Sequence, residues 1–411
     1  MSRLSRIAAV LVLAVLPTSL LTPATAAART AAPVDVALEW YDASALTVKL
    51  GGASAAATNS RVWAIGWSAA TRALLRQPLA PAAYQQAALA SAVHAALLDF
   101  APPGKPQLDA VLAGTLARIP DGAAKERGIA AGKAATAALL AERAGDGLDA
   151  ASVDAPYHPQ PAAPGVWQPT PPAHAPGIQY GLREAKPFLL SSAAQFRPTP
   201  DPLDSDAYRR DMEEVRLYGS ADSTLRTPAQ TAVAQFWATT PLPIFTQLLR
   251  GALEQKASWP LAARAGLVAA FHVASVDTQI ATSDSKYAHV RWRPVTALRA
   301  AGHTGWTPLH DTPPHPDYVS GHAAYAGAAE QILTALTGPR PARPITASSV
   351  VAPGADRTYT SWRQFTQENV DARVWSGIHT RDADDAGAQL GRRVALNALL
   401  HLPALLLQPP A

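Results

Sequence analysis

Apolar residues recur at the spacing of an amphipathic helix through most of the sequence, and this feature most limits the folds open to it. Eight segments rich in alanine and leucine show the pattern: residues 61–75, 82–98, 123–141, 207–217, 228–237, 261–280, 322–336 and 386–400. No run of β-branched residues alternates as a half-buried strand does. The sequence therefore predicts an all-α helical bundle.

The first 26 residues have the pattern of an export signal. Arg3 and Arg6 precede an apolar run over 7–16, and Ala24-Thr25-Ala26 fits the small-x-small cleavage pattern. The alternative is a membrane anchor, for which the run is short. We predict a secreted, extracellular protein in which residues 27–411 form a single all-α domain, with a catalytic half at about 205–400.

Three further observations limit the class of protein. The formal charge is +4, and loss of Arg3 and Arg6 leaves about +2, which is too little to indicate a nucleic-acid partner. The apolar segment 394–407 is interrupted by Asn397, His401 and Pro403, so we predict a core helix there and no membrane span. The absence of cysteine excludes thiol nucleophiles and thiolate metal sites.

Proline punctuates two segments that we expect to be non-helical. Residues 156–176 contain eight prolines, and residues 338–344 contain three. The first segment also holds Trp167 and leads to the apolar residues at 188–190, which need partners. We therefore predict a crossover wrapped on the surface of one domain, in preference to a flexible linker.

Three short blocks collect the residues suited to chemistry. They span residues 284–294, 315–322 and 373–379, and they include Lys286, Arg293, Arg373, His322 and His379. Tetrahedral oxyanions are held by fixed cations and N–H donors, and arginine matches two oxygens at once. Lys286 and Arg293 are seven residues apart, so one helical face can present both. The blocks therefore predict a basic, two-histidine oxyanion site.

The middle block adds neutral donors. The Ser320 hydroxyl and the Gly321 N–H, which no side chain shields, lie where a helix is predicted to begin, and helix N-termini favour anions. Of two histidines, one can attack or coordinate the central atom, and the other can transfer protons. The six-residue spacing of Arg373 and His379 predicts a turn around Ser376-Gly377.

In sequence order, Lys286-x6-Arg293-Pro294, Ser320-Gly321-His322 and Arg373-x5-His379 resemble the vanadium-dependent haloperoxidases. These enzymes share their site with acid phosphatases of the type-2 phosphatidic acid phosphatase superfamily. Asp277, Trp292 and the Gly377–Arg381 run also look like secreted bacterial members.

The resemblance implies a role for each matching residue. Lys286, Arg293 and Arg373 hold the oxyanion oxygens, with Ser320 and the Gly321 N–H as further donors. His379 is the axial ligand of vanadium, or the nucleophile of a phosphatase, and His322 is the acid–base residue. The implied cofactor is vanadate for a haloperoxidase, in which Lys286 polarises hydrogen peroxide for attack by halide. A phosphatase would take a phosphate ester and no cofactor.

Three positions refine this assignment. Val319 stands where the family usually has proline. Many phosphatases place an aspartate four residues after the second histidine; here Ala383 occupies that position, so Asp382 is the predicted orienting carboxylate, and Asp277 is given a supporting role. His315 matches bromide-oxidising members, since chloride-oxidising members tend to have phenylalanine there, so bromide is favoured.

Several alternatives remain open at this stage. The second function is a metal-independent acid phosphatase acting through a phosphohistidine at His379, and the third is a non-catalytic anion-binding scaffold. The ligand-rich run His310, Asp311, His315, Asp317 and His322 allows a divalent metal site, although zinc spacing is absent and the cations disfavour it. We expect His289, His272 and His401 to be structural, and His303 and His310 to be surface residues.

Overall fold

Fourteen α-helices and one β-hairpin make up the computed structural model, which describes residues 35–50 and 56–407. The helices are α1 Val36–Leu50, α2 Ala56–Arg76, α3 Ala82–Phe100, α4 Lys105–Ala117, α5 Ala123–Glu142, α6 Ala150–Val153, α7 Asp206–Tyr218, α8 Pro228–Phe236, α9 Leu242–Glu254, α10 Leu261–His289, α11 Pro294–Ala300, α12 Gly321–Thr337, α13 Trp362–Trp375 and α14 Arg381–Leu406. Short 3-10 helices cover Pro102–Gly104 and Gly181–Glu184. The predicted all-α class is confirmed.

Each of the eight predicted segments lies in a helix, apart from the last residue of 228–237. The expectation of no strand was wrong, because β1 Ile345–Ser349 and β2 Ala352–Tyr359 pair antiparallel after the predicted 338–344 loop. Only the Ile345, Ala347 and Ser349 side chains of β1 are buried, and two of them are small. This short strand therefore has little apolar alternation to detect.

Helix α10 is the central element of the bundle and is buried through most of its length. It packs against α2, α12 and α14, while α3 packs against α5. Glycines allow the closest crossings: a Cβ on Gly391 of α14 would lie 2.0 Å from the Ala324 carbonyl oxygen of α12. Gly391 thus allows α14 to pack closely against the first turn of α12.

The proline-rich crossover packs along one face of α10, as predicted. The Asp277 carboxylate accepts hydrogen bonds from the backbone N–H groups of residues 188–190 at 2.6, 2.8 and 3.0 Å. Further along α10, Asp284 pairs with Arg197 at 2.6 Å, and the Tyr287 hydroxyl donates to the Ile178 carbonyl. The backbone N–H of Trp167, whose side chain is buried, donates to the Val290 carbonyl at 2.8 Å. The crossover therefore fixes the end of α10, where Lys286 lies.

No helix of the described chain is long and apolar enough to cross a membrane. The segment predicted as a core helix at 394–407 lies largely within α14, which buries Val394 and Ala398 but leaves Leu396 and Leu400 exposed. The predicted signal peptide, residues 1–26, falls outside the described residues, and the predicted division of the chain into a signal and one domain stays a prediction.

Candidate oxyanion site

Five segments of chain bring the predicted residues together. Lys286 lies near the end of α10, Arg293 caps α11, Ser320 caps α12, Arg373 lies near the end of α13, and His379 precedes α14. Arg293 Nη1 lies 3.2 Å from His379 Nε2, and Lys286 Nζ donates to the carbonyls of Pro316 and Asp317 at 2.8 and 3.1 Å. Residues far apart in sequence thus form one buried cluster.

Lys286 and Arg293 do not share a helical face, contrary to the prediction. Helix α10 ends at His289, Val290 adopts φ +47°, and Arg293 has an extended backbone. Pro294 explains the break, since proline disfavours helical geometry in the residue before it and suits the first turn of the next helix. The two side chains instead converge from consecutive helices.

The predicted turn between Arg373 and His379 is confirmed. Helix α13 ends at Trp375, and Gly377 adopts φ +77°. A Cβ on Gly377 would also lie 2.3 Å from the Gly219 carbonyl oxygen. Both the positive φ and the close approach require glycine, and the turn places the His379 side chain against the cations.

His379 is held in one tautomer by Asp317. Its Nδ1 lies 2.6 Å from Asp317 Oδ1, while the other carboxylate oxygen accepts from the Thr380 hydroxyl at 2.9 Å. Because the carboxylate accepts, Nδ1 carries the proton, and Nε2 is unprotonated and accepts from Arg293 Nη1 at 3.2 Å. Burial and the neighbouring Arg293 lower the pKa of His379 well below its usual value, so the ring is neutral. A neutral, oriented Nε2 suits a ligand or a nucleophile.

Asp317 replaces the residue that the sequence indicated as the orienting carboxylate. The prediction for Asp382 was wrong: it accepts from the Asp201 N–H at 3.1 Å, and its own N–H donates to Asp211. Helix α14 starts only at Arg381, so Asp382 projects away from His379 toward α7. Asp317 could have been singled out as the only acidic residue in the 315–322 block.

Three cations form the walls of the site. Lys286, Arg293 and Arg373 are at most 5% exposed. Burial lowers the pKa of Lys286 well below its usual range, with Arg293 acting in the same direction, and lowers the pKa values of Arg293 and Arg373 to about 10. The three shifts share one main cause, burial, which removes water from the charged form and so disfavours it.

Arg373 retains unused donor capacity. Its Nη1 donates to the Trp237 carbonyl at 2.9 Å, but its buried Nε has no hydrogen-bond partner. A buried guanidinium with an unpaired N–H is costly unless a ligand or water completes it. This orphaned donor, beside two further cations, fits an oxyanion.

The remaining predicted donors lie at the start of α12. Ser320 is the N-cap and accepts from the Ala323 N–H, and Gly321 begins the helix. Helical N–H groups of the first turn have no partner within their helix and favour anions. A Cβ on Gly321 would meet no atom closer than Thr282 Cγ2 at 3.8 Å, so the backbone is accessible there.

His322 and His315 each have one ring nitrogen fixed by a neighbour. His322 Nε2 donates to the Thr239 carbonyl at 2.7 Å, leaving Nδ1 as a free acceptor. His315 Nδ1 lies 2.9 Å from Arg293 Nη2 and 3.2 Å from the Pro316 carbonyl oxygen. Burial lowers the pKa of both rings well below the usual value, and the nearby arginines act in the same direction.

The remaining predicted residues were not all placed correctly. Asp277 does not reach the site, because nine residues turn it half a revolution from Lys286, and its carboxylate holds the crossover instead. His310 was expected on the surface but is half-buried, with Nδ1 3.0 Å from the Ser376 hydroxyl oxygen. Asp384, fully buried beside Ser320, was missed altogether.

The ligand-rich run from His310 to His322 does not assemble as a cation site. His310 contacts Ser376, His315 contacts Arg293 and Asp317 contacts His379. Within residues 35–50 and 56–407, no group of three or more histidine or acidic side chains is arranged to hold a metal ion. The surrounding cations are suited to an anion instead.

Comparisons with known proteins agree with this arrangement. Residues 266–406 match the family model of the VCPO second helical-bundle domain. The structure is similar to the crystal structure of the first bacterial vanadium-dependent iodoperoxidase, with TM-score 0.75 and 23% identity over 90% of this chain and 97% of that one.

A bacterial vanadium-dependent chloroperoxidase also matches, in its holo form with TM-score 0.69 and 17% identity over 87% of this chain and 94% of that one. Its apo form matches with TM-score 0.69, 16% identity, and 87% and 95% coverage. No curated protein sequence matches. The family match covers residues 266–406, and the solved structures share the fold over most of the chain, as the predicted resemblance to the vanadium haloperoxidases leads one to expect.

Proposed function

We propose, from its vanadium haloperoxidase fold and its oxyanion site, that this protein is a vanadate-dependent haloperoxidase that oxidises halide with hydrogen peroxide. One observation supports the proposal: three buried cations, one with an orphaned Nε, lie around a neutral histidine whose unprotonated Nε2 contacts only Arg293 among the described residues. This set provides charge for the oxygens of vanadate and a nitrogen ligand for its central atom.

Each residue has a defined task in this proposal. Lys286, Arg293 and Arg373 would hold the oxygens, Ser320 and the Gly321 N–H would donate further hydrogen bonds, and His379 Nε2 would coordinate the central atom. Bound vanadate supplies a Lewis-acidic centre that activates peroxide toward attack by halide. Asp317 keeps the proton on His379 Nδ1, so that Nε2 stays unprotonated and can coordinate.

Proton transfer falls to His322. Because its Nε2–H is held by the Thr239 carbonyl, the unprotonated Nδ1 is the atom that accepts a proton from hydrogen peroxide and later returns it to the leaving oxygen. Lys286 adds positive charge that acts on His322. A His322→Ala variant should keep vanadate affinity within about threefold and lose at least about 100-fold in kcat, the range for a general acid–base.

Bromide is the proposed halide, and His315 is the residue on which the choice rests. Its Nδ1 lies 2.9 Å from Arg293 Nη2. Replacing His315 by phenylalanine removes this polar contact and places an apolar ring beside the cations. The ratio of kcat/KM for bromide to that for chloride should fall in His315→Phe, and an unchanged ratio would remove His315 from halide selection.

The decisive experiment compares two activities of the purified protein. Bromination of a phenolic dye is measured with hydrogen peroxide, with and without vanadate, in parallel with hydrolysis of p-nitrophenyl phosphate. We expect vanadate-dependent bromination. Hydrolysis without such bromination would establish the second candidate, an acid phosphatase, because an unprotonated and oriented His379 Nε2 also suits a phosphohistidine nucleophile. His379→Ala should abolish whichever activity is found.

We also propose that the protein is exported. The support is the basic, apolar and small-residue pattern of residues 1–26. N-terminal sequencing of protein recovered from the medium of a bacterial host should give a chain beginning at Ala27. Recovery only from cells, with Met1 or Ser2 at its start, would contradict export.

A further inference from the structure

Asp384 is a buried carboxyl that differs from the other buried acids of this bundle. Asp277 accepts three backbone hydrogen bonds, and Asp317 accepts from His379 and Thr380. Asp384 is fully buried, yet neither of its oxygens has a hydrogen-bond partner of normal geometry. Because a carboxylate without donors is very unfavourable away from water, its surroundings favour the neutral, protonated form.

The charges facing Asp384 come from several elements. Burial, the largest effect, raises the pKa of Asp384 well above its usual value, and Asp317 acts in the same direction. Ser320 on α12, Arg373 on α13 and Arg381 on its own helix oppose this shift. Lys286 and Arg293 also interact with its charge. Arg381 is already neutralised by Glu214 and Asp371, both at 2.6 Å.

The Ser320 hydroxyl is close enough to influence the charge of Asp384 but forms no hydrogen bond of normal geometry with it, and the backbone holds the two residues in register. The Ser320 N–H donates to the Ala383 carbonyl at 2.8 Å, and a Cβ on Gly387 would lie 2.6 Å from the Ser320 carbonyl oxygen. Ser320 Oγ also accepts from the Ala323 N–H at 3.4 Å. A hydroxyl has one proton to give, so its direction depends on what Asp384 offers.

We propose that Asp384 is a positioning residue that keeps its carboxyl proton, donates a hydrogen bond to Ser320 Oγ and thereby turns the Ser320 hydroxyl proton toward the bound oxyanion. With Oγ accepting from both Asp384 and the Ala323 N–H, the hydroxyl proton points away from both. Asp384 acts through Ser320 and transfers no proton. The proposal rests on the oxyanion-binding function proposed above.

Sulfate binding, measured by calorimetry, tests this role without any turnover, because sulfate is a tetrahedral oxyanion whose charge is constant near neutral pH. Asp384→Asn keeps the shape and an N–H donor, so its sulfate affinity should stay within about threefold of wild type. Asp384→Ala and Ser320→Ala should each weaken binding about tenfold, the usual effect of one hydrogen bond to an anion. The double variant should be no weaker than Ser320→Ala alone.

The neighbouring Asp385 is exposed and provides a matched control, since Asp385→Asn makes the same side-chain substitution one residue away and should leave sulfate affinity unaltered. Tenfold tighter binding by Asp384→Asn would overturn the proposal, because Asp384 would then be an ionised counter-charge. Additive losses in the double variant would also overturn it. Absence of sulfate, phosphate and vanadate binding by the wild type would instead contradict the proposed function.

Infrared difference spectra keep the proposal testable if Asp384→Ala fails to fold. Wild type minus Asp384→Asn should show the carbonyl stretch of a protonated carboxyl group. Carboxylate bands alone would refute a neutral Asp384. The same comparison with Asp385→Asn should show the bands of an exposed carboxylate.

Discussion

Replacing Asp317 by asparagine tests the assignment of His379 as the residue that coordinates or attacks the central atom. Asp317 is 1% exposed, lies 2.6 Å from His379 Nδ1 and 3.8 Å from Arg293 Nη1, and accepts from the Thr380 hydroxyl at 2.9 Å. The substitution removes a charge from a charge-assisted hydrogen bond, which is worth about 1.5–3 kcal/mol. It also allows the amide N–H₂ to face the ring and favour the wrong tautomer.

The expected loss follows from those contacts. Substituting a residue that orients a metal-binding histidine typically weakens metal affinity or activity about 10–100-fold, and the same range is expected here for vanadate affinity and for kcat. Asp317→Ala should in addition lower the free energy of unfolding by about 3–5 kcal/mol, because it leaves buried Arg293 with less compensation. The assays are calorimetric vanadate titration, steady-state bromide oxidation and chemical denaturation.

Asp382→Asn is the matched control, since Asp382 is the carboxylate that sequence spacing assigned to the same task. It bonds to Asp201 and α7 instead, so vanadate affinity should change by less than about twofold. If Asp317→Asn behaves like wild type while Asp382→Asn loses affinity, the tautomer argument is refuted. Equal losses in both would mean that charge, not hydrogen bonding to His379, decides affinity.

Three further predictions concern the bundle around the site. Burial raises the pKa of Asp277 to about 6, so the folded state holds more protons than the unfolded state between pH 4 and 6. The unfolding free energy should therefore fall as pH rises through this window, and Asp277 contributes at most about 1.4 kcal/mol per pH unit. In Asp277→Asn, a plot of unfolding free energy against pH should have a shallower slope than in wild type. A steeper slope would refute the predicted sign. Gly391→Ala places a Cβ 2.0 Å from the Ala324 carbonyl oxygen and should lower the unfolding free energy by about 1–3 kcal/mol or more. In Gly114→Ala, the new Cβ meets nothing closer than Arg118 Nη1 at 3.7 Å, so the higher helix propensity of alanine should raise the unfolding free energy by about 0.5–1 kcal/mol. Similar effects at both glycines would contradict the packing argument.

Helical periodicity predicted the elements that bury a continuous apolar stripe, and it failed where burial is polar. Helix α10 continues nine residues past the predicted end at residue 280, through Ser283, Asp284 and Ser285. These polar side chains are buried because the crossover supplies partners such as Arg197. Partners that lie about 90 residues away in sequence leave no local signal.

In the site, too, the spacing of residues in the sequence predicted some members, and others become apparent only in the folded chain. The order of the three blocks identified the cations, Ser320 and both histidines, because those residue types are needed together for an oxyanion. The orienting carboxylate was not identified, since Asp317 lies 62 residues before His379 and meets it only in the folded chain. Helical spacing favoured Asp382 as the partner of His379. Helix α14 begins only at Arg381, after His379, so the two residues do not share a helix and Asp382 does not face His379.

The central claim is that this buried cluster binds one vanadate and uses it to oxidise halide. The most direct measurement is bromide oxidation by metal-free protein as vanadate is titrated in, with phosphate added as a competitor. We expect bromide oxidation to rise from the background and to saturate at one vanadate per chain. Phosphate should inhibit it competitively, and vanadate should not activate His379→Ala. Bromide oxidation that is independent of vanadate, or vanadate activation that His379→Ala retains, would contradict it.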